Sequence, residues 1–155
     1  MCSSDLIVDA MTALDMCVEV AISERPITCI RKRRTFKTED NKKGYTVVSS
    51  KRYPQGDKEK YWFGYRDKRF EDIEDCDEQY MILGCRNKTL SVVRFPREFI
   101  EQNLGMLNTS VNSETGEISH YHIVIFKNPD GKMTMLLSKP ALREIDISDY
   151  VVGEI

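Results

Sequence analysis

The chain has 155 residues, of which 41% are hydrophobic and 31% are charged, with a formal net charge of −2. These values fit one soluble domain with a single core, and they exclude collagen-like, mucin-like and disordered chains. No apolar run approaches the roughly 18 residues that a membrane-spanning helix needs. The start of the chain does not predict a secretion signal, and five cysteines without a close CxxC pair favour reduced thiols, so we expect a cytoplasmic protein.

The first predicted element is a helix over residues 4–22. Ser4 or Asp5 is expected to cap it. Its apolar residues recur at helical spacing: Leu6, Ala10, Leu14, Cys17 and Ala21. Pro26 separates this helix from the strands that follow.

Three strands are predicted next, over residues 27–37, 45–53 and 58–65. The first alternates apolar and basic residues, which is typical of a half-exposed strand. Polar turns over residues 39–44 and 54–57 separate the three. Together they predict a basic, aromatic and antiparallel meander.

The second half of the chain predicts a β-rich core with one helix. The apolar run "YMILGC" is typical of a strand at the centre of a sheet. Pro96 is expected to open a helix that ends before Gly105. The predicted elements are a helical turn or loop over 70–78, strands over 80–85 and 89–95, a polar loop over 108–117, a hairpin of 118–126 with 132–138, and a tail that forms a helical turn or an edge strand.

These elements predict an α+β fold. We expect a mainly antiparallel, curved sheet of about seven strands, with an N-terminal helix and a second helix after Pro96. Residues 1–155 would form a single domain. Its parts would be a helical element over 1–25, the basic aromatic meander over 27–66 and the β-rich core over 79–155.

Basic residues are concentrated in the meander. Residues 31–69 carry fourteen Lys or Arg against five acids, whereas the rest of the chain has nine Lys or Arg against twenty acids. This asymmetry is typical of a patch that faces a polyanion. The charge reverses within "EKYWFGYRDKRFEDIEDCDE", and we expect its acidic run, residues 71–78, either to border the basic patch or to be a solvated loop. A magnesium site on Asp72, Glu74 and Asp77 is a further alternative.

Cations and flat rings in this segment indicate a nucleic-acid surface, because cations attract phosphates and rings stack on exposed bases. The alternative is that the rings belong to the core and the cations only solvate the outer face. Alternation along a strand places Trp62 opposite to Tyr61 and Tyr65, so a ring can stack only if its face is exposed. The candidate nucleic-acid-binding residues are Arg31, Lys32, Arg33, Arg34, Lys37, Lys42, Lys43, Lys51, Arg52, Tyr61, Trp62, Tyr65 and Arg66.

Two weaker patterns suggest metal chemistry. "Asp40-Asn41-Lys42" matches half of a magnesium-dependent nuclease site, in which Asp40 and Lys42 would be catalytic and Glu19 or Glu24 would supply the other acid. Such short matches are common in a highly charged chain, so this enzyme is the less favoured alternative. His120 and His122 share one face of a strand and could bind a metal with Cys76 or Cys85, but we favour a hydrogen-bonded histidine pair.

The second half of the chain resembles a small domain of uncharacterised bacterial proteins, some of which look like restriction or genome-defence proteins. The resemblance lies in "YWFGY", "YMILGC", "VRFPREFIEQNLGMLNTS" and "YHIVIF", and covers about residues 60–155. It implies a structural core and brings no catalytic residues. It does not extend to the basic segment 31–52.

The favoured hypothesis is a non-catalytic nucleic-acid-binding module in a bacterial or phage defence system, with DNA as the expected partner and no cofactor. Magnesium enters only under the nuclease alternative. A third hypothesis is a protein-interaction domain whose meander binds an acidic partner or a second copy of the chain. A homodimer or a larger protein complex fits either binding hypothesis.

Overall fold

The computed structural model describes residues 7–155, so the expected caps Ser4 and Asp5 lie outside the described residues. Helix α1 spans Ala10–Ala21, and Asp9 caps it by accepting a hydrogen bond from the Thr12 backbone nitrogen at 2.9 Å. An acidic cap of this kind satisfies a backbone N–H that has no partner within the helix. The helix therefore begins later than the sequence predicted.

The remaining elements, in chain order, are β1 (Ile27–Arg31), β2 (Thr35–Thr38), β3 (Lys43–Lys51), β4 (Tyr53–Gln55), β5 (Lys58–Tyr65), a 3₁₀ segment (Asp67–Ile73), β6 (Glu78–Arg86), β7 (Leu90–Pro96), α2 (Arg97–Asn103), a 3₁₀ turn (Leu104–Met106), β8 (Thr109–Val111), β9 (Ile118–Lys127), β10 (Met133–Leu137), β11 (Arg143–Asp146), a 3₁₀ turn (Ser148–Tyr150) and β12 (Val151–Glu154). No helix among residues 7–155 is long and apolar enough to cross a bilayer.

The strands form two six-stranded sheets. Sheet I has the order β1-β2-β3-β6-β7-β12, and sheet II has the order β11-β10-β9-β5-β4 with β8 added beside β9. Only β3 and β6 are parallel among the described pairs. The predicted α+β class and the antiparallel character are confirmed. The expectation of one sheet with about seven strands is wrong, since residues 7–155 contain twelve strands that form two layers.

Sheet I is the middle layer, with α1 on one face and sheet II on the other. Along β6, Ile82 packs towards α1, whereas Met81 and Leu83 pack into the core shared with sheet II. A strand that is buried on both faces reads as a continuous apolar run, and this confirms the central position predicted for "YMILGC". Gly84 lets α1 approach closely, because a Cβ atom there would lie 2.7 Å from Sγ of Cys17.

The predicted meander is wrong in two respects. The run over residues 27–37 is a hairpin of β1 and β2 instead of one strand, because Lys32 and Arg33 adopt positive φ angles of 36° and 63° and reverse the chain. The meander is also divided between the sheets, since β3 pairs with β6 in sheet I and β5 pairs with β9 in sheet II. Each of these strands thus pairs with a buried apolar strand.

The second half follows the prediction more closely. The hairpin of β9 and β10 is confirmed, and the loop before it contains β8. Pro96 is the N-cap residue of α2, and Gly105 lies in the 3₁₀ turn after the helix. The tail was predicted to form either a helical turn or an edge strand, and it forms both. β11 and β12 are edge strands of different sheets, and a 3₁₀ turn lies between them.

Candidate nucleic-acid interface

A cleft of about 480 Å³ opens where the β1–β2 hairpin approaches the end of β5 and the 3₁₀ segment that follows it. We call it the basic cleft. Trp62, Gly64, His120 and Asp72 also line it. The basic residues of its lining are Arg31, Arg34, Arg66, Lys68 and Arg69. Such an excess of cations in a concave surface favours the binding of an anion.

Most of these cations have no internal counter-charge. Arg31 forms an ion pair with Asp72, with 3.4 Å between Nη1 and Oδ2. Within residues 7–155, Arg34, Arg66 and Lys68 have no ion-pair partner. The positive potential of the cleft is therefore available to a ligand.

Arg69 is the most enclosed of the basic residues that we describe in the cleft. Its Nε donates a hydrogen bond to the Gly64 carbonyl oxygen at 2.8 Å, which fixes the side chain in the lining of the cleft. Burial, and then the nearby guanidinium groups of Arg34 and Arg66, lower the pKa of Arg69, although an arginine remains a cation. A partly buried cation beside two like charges is a costly arrangement that a bound anion would relieve.

Trp62 is held at the edge of the basic cleft by a defined set of contacts. The half-buried ring lies over Gly64, where a Cβ atom would be 3.2 Å from the indole Cη2. Its Nε1 donates a hydrogen bond to Nδ1 of His122 at 3.1 Å. His120 and His122 pack edge-on against the ring, with centroids 5.7 and 5.4 Å away. The ring is thus positioned without being enclosed.

His122 links Trp62 to β8. Because Nδ1 accepts from the indole, the neutral ring carries its proton on Nε2, which donates to Oγ of Ser110 at 2.7 Å. Burial, followed by His120 and Lys60, lowers the pKa of His122, which favours this neutral form. With the proton on Nε2, His122 cannot act as a base on Ser110. The bond orients the rings instead.

The two histidines share one face of β9, as predicted, but they do not bond to each other: His122 bonds to Trp62 and Ser110, His120 bonds to Ser119, and their rings stack with centroids 5.2 Å apart. Cys76 and Cys85, the suggested third metal ligands, are buried in the core shared by the two sheets. Among residues 7–155 we find no group of three His, Cys, Asp or Glu side chains that could hold a metal ion.

Two predicted stacking residues are in the core. Tyr61 and Tyr65 expose 1% and 0% of their surface, and burial raises the pKa of both phenols. Neither ring can therefore stack on a base, and their inclusion among the candidate contacts is corrected. Trp62 lies on the opposite face of β5, as alternation along the strand requires.

The other predicted cations do not gather around the basic cleft. Arg33 pairs with Asp15 at 3.5 Å, Lys37 with Asp75 at 3.5 Å, and Lys43 with Glu24 at 2.6 Å. Lys51 lies over the ring of Tyr53. Lys32, Lys42 and Arg52 are exposed. Of the predicted set, Arg31, Arg34, Trp62 and Arg66 line the cleft.

Sequence reasoning missed Lys68, Arg69 and His120 as lining residues. Lys68 and Arg69 lie two and three residues after Arg66 in the basic half of the charge reversal, with Asp67 between, and this proximity was the available signal. His120 is brought in by the pairing of β5 with β9, which no local pattern of the sequence indicates.

The residues of the nuclease alternative lie in a separate cleft, which is lined by Glu24, Asp40, Lys42 and Lys43 among others. The Glu24 carboxylate accepts hydrogen bonds from Lys43 Nζ and the Tyr45 hydroxyl, both at 2.6 Å, and these bonds lower the pKa of Glu24 to about 2. Asp40 accepts from the Thr38 hydroxyl and the Lys42 backbone. Both carboxylates thus already have partners within the fold, and Glu19 does not line this cleft.

The acidic run over residues 71–78 borders the basic cleft. Asp72 pairs with Arg31, Asp75 with Lys37, and Glu74 with Arg97 at 2.9 Å. The run therefore neutralises cations on three elements and limits the positive surface on one side. Of the suggested magnesium ligands, Asp72 and Glu74 are engaged in these ion pairs.

Two further clefts continue the basic cleft into a trough. One shares Arg34, Trp62, Gly64 and Arg69 with it and extends to Lys51, Tyr53 and Arg86. Within residues 7–155, Nε of Arg86 is buried and lacks a hydrogen-bond partner. The other shares Arg66 and His120 and extends to Asn112 and Ser119. The trough thus runs along the second half of β5, beside β3 at one end and β9 at the other.

Comparisons of the chain with models of protein families, with curated proteins and with solved structures found no match. The resemblance to a defence-associated domain stays a prediction.

Proposed function

We propose that this protein is a non-catalytic nucleic-acid-binding module, with DNA as the expected partner. Phosphates would contact the basic cleft, and a base would stack on Trp62. The observation that carries the proposal is that five basic side chains and Trp62 line one cleft, and that only Arg31 of the five has an ion-pair partner among residues 7–155. Basic grooves with recessed aromatic rings are typical of proteins that bind single strands.

The shape of the trough favours a single strand over a duplex. Trp62 is half-buried between cations, so a base must leave its stack to reach the ring. The stretch of β5 and the residue after it, from Trp62 to Arg66, spans about 13 Å of extended chain. At the stacked spacing of about 3.4 Å per phosphate, this length holds at most roughly four nucleotides, and an unstacked strand places fewer along it.

A setting in a restriction or defence system rests on the resemblance alone. Binding without catalysis is supported by the proton position on His122, which leaves Ser110 without a base, and by the internal partners of Glu24 and Asp40.

The direct test is a titration of Trp62, the only tryptophan of the chain, with single-stranded and duplex DNA of one sequence at two salt concentrations. We expect single strands to quench its fluorescence at lower concentration, with an affinity that falls steeply with salt. The Arg34→Gln and Arg66→Gln variants should each reduce the slope of log K against log salt by about 0.7. Lys139→Gln removes the same charge from an exposed loop that lines none of the three clefts, and it should leave the slope unchanged.

The absence of any complex, by fluorescence and by gel shift, would overturn the proposal. Cleavage of DNA that requires Mg²⁺ and stops with EDTA would favour the nuclease alternative, and survival of that cleavage in Asp40→Ala would remove Asp40 from it. A salt-sensitive dimer on gel filtration, with no preference for nucleic acid over other polyanions, would favour a protein-interaction domain.

A further inference from the structure

We infer that Arg34, Arg66 and Arg69 form a binding site for a terminal phosphate, so that the trough holds the phosphorylated end of a strand. This inference rests on the proposed function, because it specifies which part of the nucleic acid occupies the basic cleft. The three residues come from the turn before β2, from the position directly after β5 and from the 3₁₀ segment, yet all line one cleft.

Backbone hydrogen bonds fix the main chain at the positions of the three arginines. The Arg34 backbone nitrogen donates to the Arg31 oxygen at 2.8 Å, and its carbonyl accepts from the Val47 nitrogen at 2.7 Å. The Arg69 backbone nitrogen donates to the Arg66 oxygen at 3.0 Å, which links two of the three arginines in one turn. These bonds, with the one from the Arg69 side chain to Gly64, fix the backbone of the site and one guanidinium group before an anion binds, so only the exposed side chains of Arg34 and Arg66 have to be ordered.

The charge of this site matches a phosphomonoester better than an internal phosphodiester. An internal phosphate carries one negative charge, whereas a terminal phosphate carries about −1.5 to −2 at pH 7 and offers three free oxygens. A guanidinium group binds phosphate oxygens through a pair of parallel N–H donors. Three such groups in the lining of one cleft offer enough donors for all the free oxygens of a terminal phosphate, whereas a backbone-tracking surface would distribute its cations along the strand.

Trp62 places a base beside this phosphate. The Trp62 ring covers Gly64, and the carbonyl oxygen of Gly64 holds Arg69, so the stacking surface and the phosphate site share one residue. The cleft, at about 480 Å³, has the size of sites that enclose a small molecule. It therefore suits one terminal nucleotide, with the rest of the strand in the adjoining clefts.

The test compares short oligonucleotides of one sequence that carry a 5′-phosphate, a 3′-phosphate or hydroxyl groups at both ends, with Trp62 fluorescence as the readout. We expect one phosphorylated form to bind about ten-fold more tightly than the hydroxyl form, as charge-assisted hydrogen bonds allow. The preference should shrink between pH 7.5 and pH 5, because the second pKa of the phosphate is about 6 and the dianion is lost.

Variants distinguish a specific phosphate site from non-specific electrostatic attraction between the basic cleft and DNA. Arg69→Gln should abolish the preference while retaining weaker binding of the hydroxyl form. Lys68 is an exposed cation of the same cleft that is not one of the three arginines. Lys68→Gln should weaken the binding of all three oligonucleotides alike. If Arg69→Gln does not fold, Arg34→Gln tests the same loss of preference at an exposed residue.

Equal affinity for the three oligonucleotides would overturn the terminal-phosphate site and leave the proposed function standing. A preference that persists unchanged in both Arg69→Gln and Arg34→Gln would also overturn it. No binding of any oligonucleotide would overturn the site and the proposed function together.

Discussion

The hydrogen bond between Trp62 and His122 makes the basic cleft sensitive to pH. Protonated His122 carries a hydrogen on Nδ1 and can no longer accept from the indole Nε1. Burial lowers the pKa of His122, so the folded chain takes up this proton less readily than the unfolded chain does. The stabilising contribution of neutral His122 should therefore be fully present above about pH 6.5, the ordinary pKa of histidine. It should decline as the pH falls from there through the lowered pKa of the folded chain.

The prediction is checked by thermal unfolding between pH 7.5 and pH 5, together with the Trp62 emission spectrum. Replacement of His122 by Asn should flatten the pH dependence of the melting temperature and shift the Trp62 emission at neutral pH. Identical pH profiles for the two proteins would show that His122 does not couple protonation to the fold.

At the scale of elements, α1 and sheet I depend on the absence of a side chain at Gly84. An alanine Cβ at this position would lie 2.7 Å from Cys17 Sγ on the buried face of the helix. Gly84→Ala should therefore destabilise the fold by about 1–3 kcal/mol, the usual cost of an overpacked core.

Urea unfolding measures this free energy. Gly105→Ala is the matched control, because among residues 7–155 no atom beyond its chain neighbours lies within 4 Å of its Cβ position, and it should change stability by no more than about 0.5 kcal/mol. The added Cys17→Ala change removes Sγ and should recover part of the loss. A double variant as unstable as the sum of its singles would contradict the close contact.

The 3₁₀ segment between β5 and β6 places Asp72 in the lining of the basic cleft. Asp72→Asn removes a negative charge beside the proposed phosphate site and releases Arg31 from its ion pair. We expect affinity for single-stranded DNA to increase by up to about five-fold, the effect of one nearby charge in water. The stability should change by less than about 1 kcal/mol, because the pair lies at the surface.

A salt titration of DNA binding checks this prediction. Asp149→Asn is the control, since it makes the same change in net charge at an exposed residue outside the basic cleft. Equal gains in the two variants would mean that only the net charge of the protein matters, and that Asp72 does not limit the cleft.

The sequence predicts the elements better than their pairing. The apolar run of β6 and the helical spacing of α1 depend on burial, which local composition reports, and both predictions are correct in kind. The turn at Lys32 and Arg33 has no glycine or asparagine to signal its positive φ angles, so the hairpin was missed. The parallel pairing of β3 with β6 requires a crossover through sheet II, which no local pattern encodes.

The same limit applies to the candidate site. Charge counts identified the segment that supplies Arg31, Arg34 and Arg66. They could not decide which face of β5 is buried, because that depends on its contact with sheet I. The structure buries Tyr61 and leaves Trp62 at the cleft for this reason.

At the scale of the whole molecule, the trough joins the two sheets. The β1–β2 hairpin belongs to sheet I, whereas β5 and His120 belong to sheet II, and the lining of the basic cleft draws on both. A ligand that bridges the sheets stabilises the folded state as a unit. At a concentration of 100 times Kd, it should add about 2.7 kcal/mol to the free energy of unfolding.

Hydrogen exchange with and without saturating single-stranded DNA tests this arrangement. We expect slower exchange in two segments that are distant in sequence, residues 31–35 and 62–69, because both line the basic cleft. The segment over residues 139–146, which includes the edge strand β11, serves as the internal control and should slow only as much as the global stabilisation requires. Protection around Lys42 and Lys43 without protection of residues 62–69 would instead place the nucleic acid in the cleft of Glu24 and Asp40, and would remove the basic cleft as the binding surface.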